Sequence, residues 1–272
     1  MLFSLLFVAC SLISQLSESL PQQTFAVVVG VSDYKLGLPN KGDLHYSGDD
    51  ARNFCELLKS QAGGRVPPTN IRLLIDRHAS RVNILQAMTI FQRARANDRI
   101  IFFFSGHGDE GLFLPYDAYM SGPDLVLQHA VVKAAFRKSA AHIKFLIADA
   151  CKSGSMTKRL YPHALNNHDS VSANDTTNIA QANANSSVVV ILSSSSNEVS
   201  QESSRLKGGA FTHYLVEGAR GAADNDPHDG IVTIKELHRY IWRKVKAEVG
   251  DGQTPKVFGR FSDTLAFASL TP

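Results

Sequence analysis

The sequence predicts a doubly wound α/β domain, a mostly parallel sheet of about six strands flanked by helices as an α/β/α sandwich. Five short apolar runs, rich in Val, Ile and Phe, are bounded by Gly, Ser or Asp. They are continuous rather than alternating, as in strands buried on both faces. Helical patterns fill the intervals between them. The 272 residues are 44% hydrophobic and 19% charged, which allows a substantial core and excludes a disordered or fibrous chain.

The runs cover 25–31, 71–75, 100–104, 143–148 and 188–192. Asp49 is placed to cap a helix over 50–60. Ala51, Phe54, Cys55 and Leu58 share one face of it, so Cys55 is read as a core thiol. Ser80 caps a helix over 81–96 with Ile84, Leu85, Met88 and Phe91 inward, and a third helix runs over 125–138. Past the fifth run, Phe211, Leu215 and Ala219 mark another helix. Thr233-Ile234-Lys235-Glu236 is a capping box that opens a helix with Leu237, Tyr240, Ile241 and Val245 on one face. A last strand is predicted over 264–268.

Residues 155–187 break this rhythm. They are dominated by Ser, Asn, Ala, Asp, Thr and His, without a period, and read as a polar linker between a longer piece, 23–154, and a shorter one, 188–272. The first 17 residues carry no charge and 1–14 are mostly apolar. We read 1–22 as an export signal, which makes the protein secreted or periplasmic. Phe7-Val8-Ala9-Cys10 offers a lipid anchor as a second reading, and an uncleaved segment would leave the protein cytoplasmic. No later run has the length of a membrane span.

Composition narrows the chemistry. With 28 basic and 25 acidic residues the net charge is +3, and no Lys/Arg stretch is dense enough for a polyanion, so nucleic acid is excluded as an expected partner. Three cysteines, Cys10, Cys55 and Cys151, make no disulfide scaffold, and no CxxC or HxxxH spacing suggests zinc. The stretch 225–236 has Asp229, Gly230, Val232 and Glu236 at calcium-loop offsets, yet Asn225 and Pro227 stand at the first and third ligand positions. A turn into a capped helix suffices there.

In open α/β sheets ligands bind at the carboxyl ends of strands. The third run ends Phe104-Ser105-Gly106-His107-Gly108, and the fourth ends Ala148-Asp149-Ala150-Cys151-Lys152-Ser153-Gly154. A His and a Cys are thereby brought to one sheet edge, the arrangement a Cys/His hydrolase needs: a thiolate nucleophile and an imidazole to carry the proton to the leaving group. Glycines on both sides of His107 allow close approach of backbone and substrate.

Ser-Gly-His-Gly followed by Asp-Ala-Cys-x-Ser-Gly resembles the caspase-like cysteine peptidases, within them the metacaspase and bacterial caspase-homologue (orthocaspase) branch. The resemblance spans roughly 24–268. It includes Val29-Gly30-Val31-Ser32-Asp33-Tyr34, Gly48-Asp49-Asp50-Ala51, Ser200-Gln201-Glu202-Ser203 and Gly209-Ala210-Phe211-Thr212.

The resemblance implies a cysteine endopeptidase cutting peptide bonds after Arg or Lys, with protein or peptide substrates carrying basic residues. His107 and Cys151 would be catalytic, and the backbone N–H groups of Gly108 and Cys151 would form the oxyanion hole. Asp50, Ser105 and Asp149 would line an acidic first pocket, although neighbouring Asp49 competes with Asp50 for that assignment. The alternative is a catalytically silent caspase-like binding or regulatory module. No cofactor is required by the sequence; calcium activation is implied by the resemblance, without a ligand set to place it. Lys152 and Lys158 depart from the family pattern. The pair Lys158 and Arg159, at the start of the polar linker, is the expected site of self-cleavage.

Overall fold

The computed structural model describes residues 21–35, 43–109, 111–118, 125–150, 186–195, 198–225 and 227–271. Four parallel strands form the centre of one sheet: β1 (Thr24–Gly30), β3 (Arg99–Ser105), β7 (Ile143–Asp149) and β8 (Ser187–Leu192). The parallel strand β2 (Ile71–Ile75) lies at one edge and the antiparallel β12 (Lys256–Arg260) at the other, in the order β12-β8-β7-β3-β1-β2. Alternate residues of each central strand serve opposite faces, as a period of two requires. Val27, Val29, Phe102, Phe104, Leu146 and Val190 pack on one side, against Ile84 of α2 (Arg81–Ala87) and Phe136 of α3 (His129–Lys138). Ala26, Val28, Ile101, Phe103, Phe145 and Ile191 pack on the other. There they meet Phe54 of α1 (Ser47–Lys59), Phe211 of α4 (Ala210–Glu217) and Leu237 of α5 (Ile234–Val249). This is the six-stranded α/β/α sandwich the apolar runs predict.

Smaller pairings decorate it. β4 (Gly108–Asp109), β5 (Leu112–Phe113) and β6 (Leu127–Gln128) form a small antiparallel sheet beyond β3. β9 (Glu202–Ser203) pairs with β10 (Gly208–Gly209), and β11 (Ile231–Thr233) with β13 (Ala266–Ser269).

Several local expectations are corrected. The sixth strand of the main sheet is β12, not 264–268. β12 is a half-exposed edge strand with Gly259 at φ 127, so it lacks the continuous apolar signal; β13 joins β11 instead. β2 is an edge strand with Arg72 and Leu73 exposed, so its apolar run is not buried on both faces. α1 begins at Ser47 with no side-chain cap; Asp49 is exposed and pairs with Arg52, while Asp50 in the same first turn is buried. Ser80 does cap α2 by accepting from Asn83 N, but the α-helix ends at Ala87 and continues as a 3₁₀ segment. α3 starts at His129, because Leu127–Gln128 is taken up by β6.

The capping box is complete: Thr233 accepts from Glu236 N, and the Glu236 carboxylate accepts from Thr233 N. The same carboxylate accepts from Asn225 N, and Asp224 accepts from Asp229 N and Gly230 N. Asp224 and Glu236 are thus committed to turn and cap. Among the described residues no group of three or more His, Cys, Asp or Glu is placed to hold a metal ion. Cys55 is a buried free thiol. No helix of the described residues is long and apolar enough to cross a membrane.

Candidate active site

The site lies at the carboxyl ends of β1, β3 and β7. Parallel pairing sets Gly30 opposite Ser105 and Ser105 opposite Asp149, so three strand ends stop at one level. The ladder runs one step further, with Gly106 N donating to Asp149 O at 3.1 Å. There the chain leaves the main sheet. His107 N donates to the Tyr34 hydroxyl at 2.8 Å, and Leu114 N to His107 O at 3.0 Å. The imidazole stacks on the Tyr34 ring, centroids 5.2 Å apart and planes at 30°. Gly106 is crowded: a Cβ there would meet the Phe104 ring at 3.0 Å and the Tyr34 hydroxyl at 3.1 Å, so both neighbours would have to give way. His107 is 8% exposed, and the Gly108 backbone continues into β4 opposite Phe113.

Cys151, Lys158 and Arg159 lie outside the described residues. The residue before Cys151 is held on both sides. Ala150 N donates to Ser193 Oγ at 3.2 Å, while Ser193 Oγ and Ser194 Oγ donate to Ala150 O at 3.3 and 3.4 Å. Gln253, fully buried, donates to Ser193 O and accepts from Gln201 N. The end of β8 and the loop before β12 therefore fix the backbone that leads into Cys151.

Asp50, Ser105 and Asp149 are brought together. They are 3%, 2% and 5% exposed, and Ser105 Oγ donates to Asp50 Oδ2 at 3.1 Å. Gly209 N donates to the Asp50 carboxylate at 3.1 Å. Asp149 accepts from Thr212 N at 3.1 Å, from Thr212 Oγ1 at 2.7 Å and from Ser200 Oγ. The two carboxylates meet over Gly209: a Cβ on that residue would sit 2.5 Å from Asp149 Oδ2 and 2.8 Å from Asp50 Oδ2.

No salt bridge to a cation is formed by either carboxylate among the described residues. Burial, and secondarily the charge of Asp149, raises the Asp50 carboxyl well above its ordinary value. Burial also raises Asp149, against the lowering effect of its hydroxyl and N–H donors. A buried carboxylate pair with donors but no cation disfavours full ionisation, and a guanidinium or ammonium brought between them would relieve it.

A third carboxylate, Glu202, stands beside them; the sequence offers it only as part of Ser200-Gln201-Glu202-Ser203. It faces Gly209 across the β9–β10 pairing and accepts from Tyr46 N at 2.8 Å and His45 N at 3.0 Å, just ahead of α1. Its charge adds to the upward shift of both aspartates. A crevice of about 450 Å³ between α1 and α4 reaches Asp50 and Thr212 from the flank, but neither Ser105 nor His107 lines it.

With this geometry in place, the comparisons give the family. The Peptidase C14 profile, described as the caspase domain, matches residues 23–265. The chain belongs to this family. Among solved structures, one of a Geobacter sulfurreducens protein is similar at 19% identity and a TM-score of 0.58, covering 92% of this chain and 100% of that one. Caspase-1 from Spodoptera frugiperda is similar at 11% identity and a TM-score of 0.59, over 91% of this chain and 90% of its own. These likenesses show a shared fold. No curated protein matches the chain.

Proposed function

We propose that this caspase-domain protein is a cysteine endopeptidase of metacaspase or orthocaspase type that cuts after Arg or Lys. The observation that carries the reading is the acid pair, Asp50 and Asp149, buried around Gly209 at the sheet edge where His107 stands. A substrate guanidinium entering there replaces like-charge repulsion with charge-assisted hydrogen bonds, each worth roughly 1.5–3 kcal/mol. An acidic side chain would meet only like charge, so discrimination of at least several hundred-fold is expected, at about 1.4 kcal/mol per tenfold.

In this mechanism the Cys151 thiolate attacks the scissile carbonyl carbon. The N–H groups of Gly108 and Cys151 hold the developing oxyanion. His107, protonated when Cys151 is the thiolate, gives its proton to the leaving amine, and the C–N bond breaks. Water then attacks the acyl-enzyme with His107 as base, releasing the carboxylic acid and restoring the thiol.

Self-cleavage after Lys158 or Arg159 would give two pieces, with β7 and β8 still paired across the cut. The N-terminal segment would direct the protein out of the cytoplasm.

The test is purified protein against fluorogenic peptides differing only in the residue before the cut, with and without calcium, beside Cys151→Ala. Arg and Lys peptides should be cut, the Asp peptide not, and Cys151→Ala should lose several orders of magnitude in rate. Equal cutting after Asp would overturn the specificity; undiminished turnover by Cys151→Ala would overturn the mechanism.

A further inference from the structure

The backbone N–H of His107 has left the main sheet, and a hydroxyl has taken it up. β3 ends at Ser105, and Gly106 N still bonds to β7, but His107 N donates 2.8 Å to the hydroxyl of Tyr34, a residue 4% exposed. The same side chain offers its ring to the imidazole, 5.2 Å between centroids at 30°. One residue thus touches both the main chain and the side chain of His107. Gly106 is the complement of this arrangement, since a Cβ at that position would press on the Tyr34 hydroxyl.

Tyr34 is itself anchored. Val31 N donates to Ser105 O and Lys35 N to Tyr116 O, each at 3.0 Å. Asp76, in a left-handed conformation at φ 46, accepts from Ser32 N at 2.8 Å and Asp33 N at 3.2 Å. The segment 31–35 is therefore fixed at both ends, and Tyr34 is a firm reference for the residue it contacts.

We infer that Tyr34 is the positioning residue of the His107 imidazole: its hydroxyl sets the backbone that carries the ring, and its own ring sets the imidazole plane. The inference rests on the reading of His107 as the acid–base group. Acid–base transfer in the transition state falls steeply with misplacement of the transferring group, whereas binding of the substrate side chain around Gly209 does not depend on the imidazole plane. Loss of Tyr34 should therefore appear in kcat and spare KM.

The test uses the full chain as wild type, Tyr34→Phe, Tyr34→Leu and Cys151→Ala. Competent sites are counted with a peptide-based thiol-reactive probe, and kcat and KM are measured on one Arg peptide. Per titrated site, Tyr34→Phe should lower kcat roughly tenfold and Tyr34→Leu about a hundredfold, with KM changed less than about threefold in both. Either variant within about twofold of wild-type kcat per site, or kcat and KM moving together, would overturn the positioning role. Should Tyr34→Leu lose the native circular dichroism spectrum, Tyr34→Phe, which removes one oxygen, decides alone. Wild type that neither cleaves nor takes the probe at Cys151 defeats the reading beneath the inference. That result is distinct from an active wild type with unchanged Tyr34 variants.

Discussion

At the amino end of the central sheet Lys144 and Arg99 carry cations inward, while at the carboxyl end Asp50 and Asp149 carry anions. Lys144 Nζ donates to Phe136 O at 2.6 Å and Ser139 O at 2.9 Å, closing the carbonyl end of α3. Arg99 donates to Thr24 Oγ1, Gly63 O and Phe267 O, tying three segments together. Each cation is spread over neutral acceptors of the chain's own making, carbonyls for Lys144 and two carbonyls with a hydroxyl for Arg99. The anions share one glycine and form no salt bridge to a cation among the described residues. The difference teaches what kind of buried charge is structural: a charge spread over fixed neutral acceptors holds the fold, whereas two buried carboxyls against one small residue resist ionising together.

The largest effect that would break this contrast is on activity. Asp149→Asn should lower kcat/KM for Arg peptides by about 10²–10³-fold, through loss of charge-assisted bonds at 1.4 kcal/mol per tenfold. Its activity on a peptide with citrulline, the uncharged isostere of Arg, should fall far less. Parallel loss on both peptides would mean that Asp149 serves only to place the neighbouring backbone.

Next comes stability at the opposite end. Lys144→Ala should destabilise by about 2–3 kcal/mol, since two carbonyls lose their donor and a cavity opens. Chemical denaturation would measure it, and kcat per titrated site should stay as in wild type. An unchanged midpoint would show the cation to be no anchor.

A smaller effect has the opposite sign. Asp50→Asn should raise Tm by roughly 2–4 °C at pH 7–8 while weakening cleavage after Arg. The folded carboxyl titrates above its unfolded value, so the aspartate's contribution to stability is full in acid and is lost as pH rises through the folded value. The gain of Asp50→Asn should therefore shrink as pH falls toward about 4. A gain that is flat with pH would place its origin elsewhere.

The smallest effect is a slope. Burial lowers Lys144 from 10.5 to about 8. Between those values the unfolded chain binds more protons, so the stability of wild type relative to Lys144→Met should climb as pH rises from 8 toward 10. Thermal melts across that range read it directly.

Much of this was legible in the sequence. β1, β3, β7 and β8 are buried on both faces, so Val, Ile and Phe had to be continuous there. Ser105 and Asp149 stand next to those runs, and their meeting follows from parallel register. Which of Asp49 and Asp50 turns inward is open in the sequence, because one helical turn can present either; packing puts Asp50 inward and pairs Asp49 with Arg52 at the surface.

The illegible part is made of bonds between distant residues with no period to announce them. Glu202 reaches the entrance of α1, Gln253 reaches Ser193, and Tyr34 reaches His107. The quartet of serines after β8 reads as a plain loop, yet Ser193 and Ser194 hold the residue that precedes Cys151. β12 leaves no mark in the sequence, because an edge strand interrupted by glycine carries little apolar signal.

Asp50 and Gly209 come from opposite sides of the polar stretch at 155–187, and only the folded sheet makes them neighbours. The Asp50–Gly209 contact is therefore a coincidence detector: neither half contains it. Two separately expressed polypeptides, divided within that stretch and each fused to one of two interacting partners, would regain cleavage of an Arg peptide only where the partners meet. The fold itself thus supplies the logic of a split reporter, with β7 and β8 as the seam.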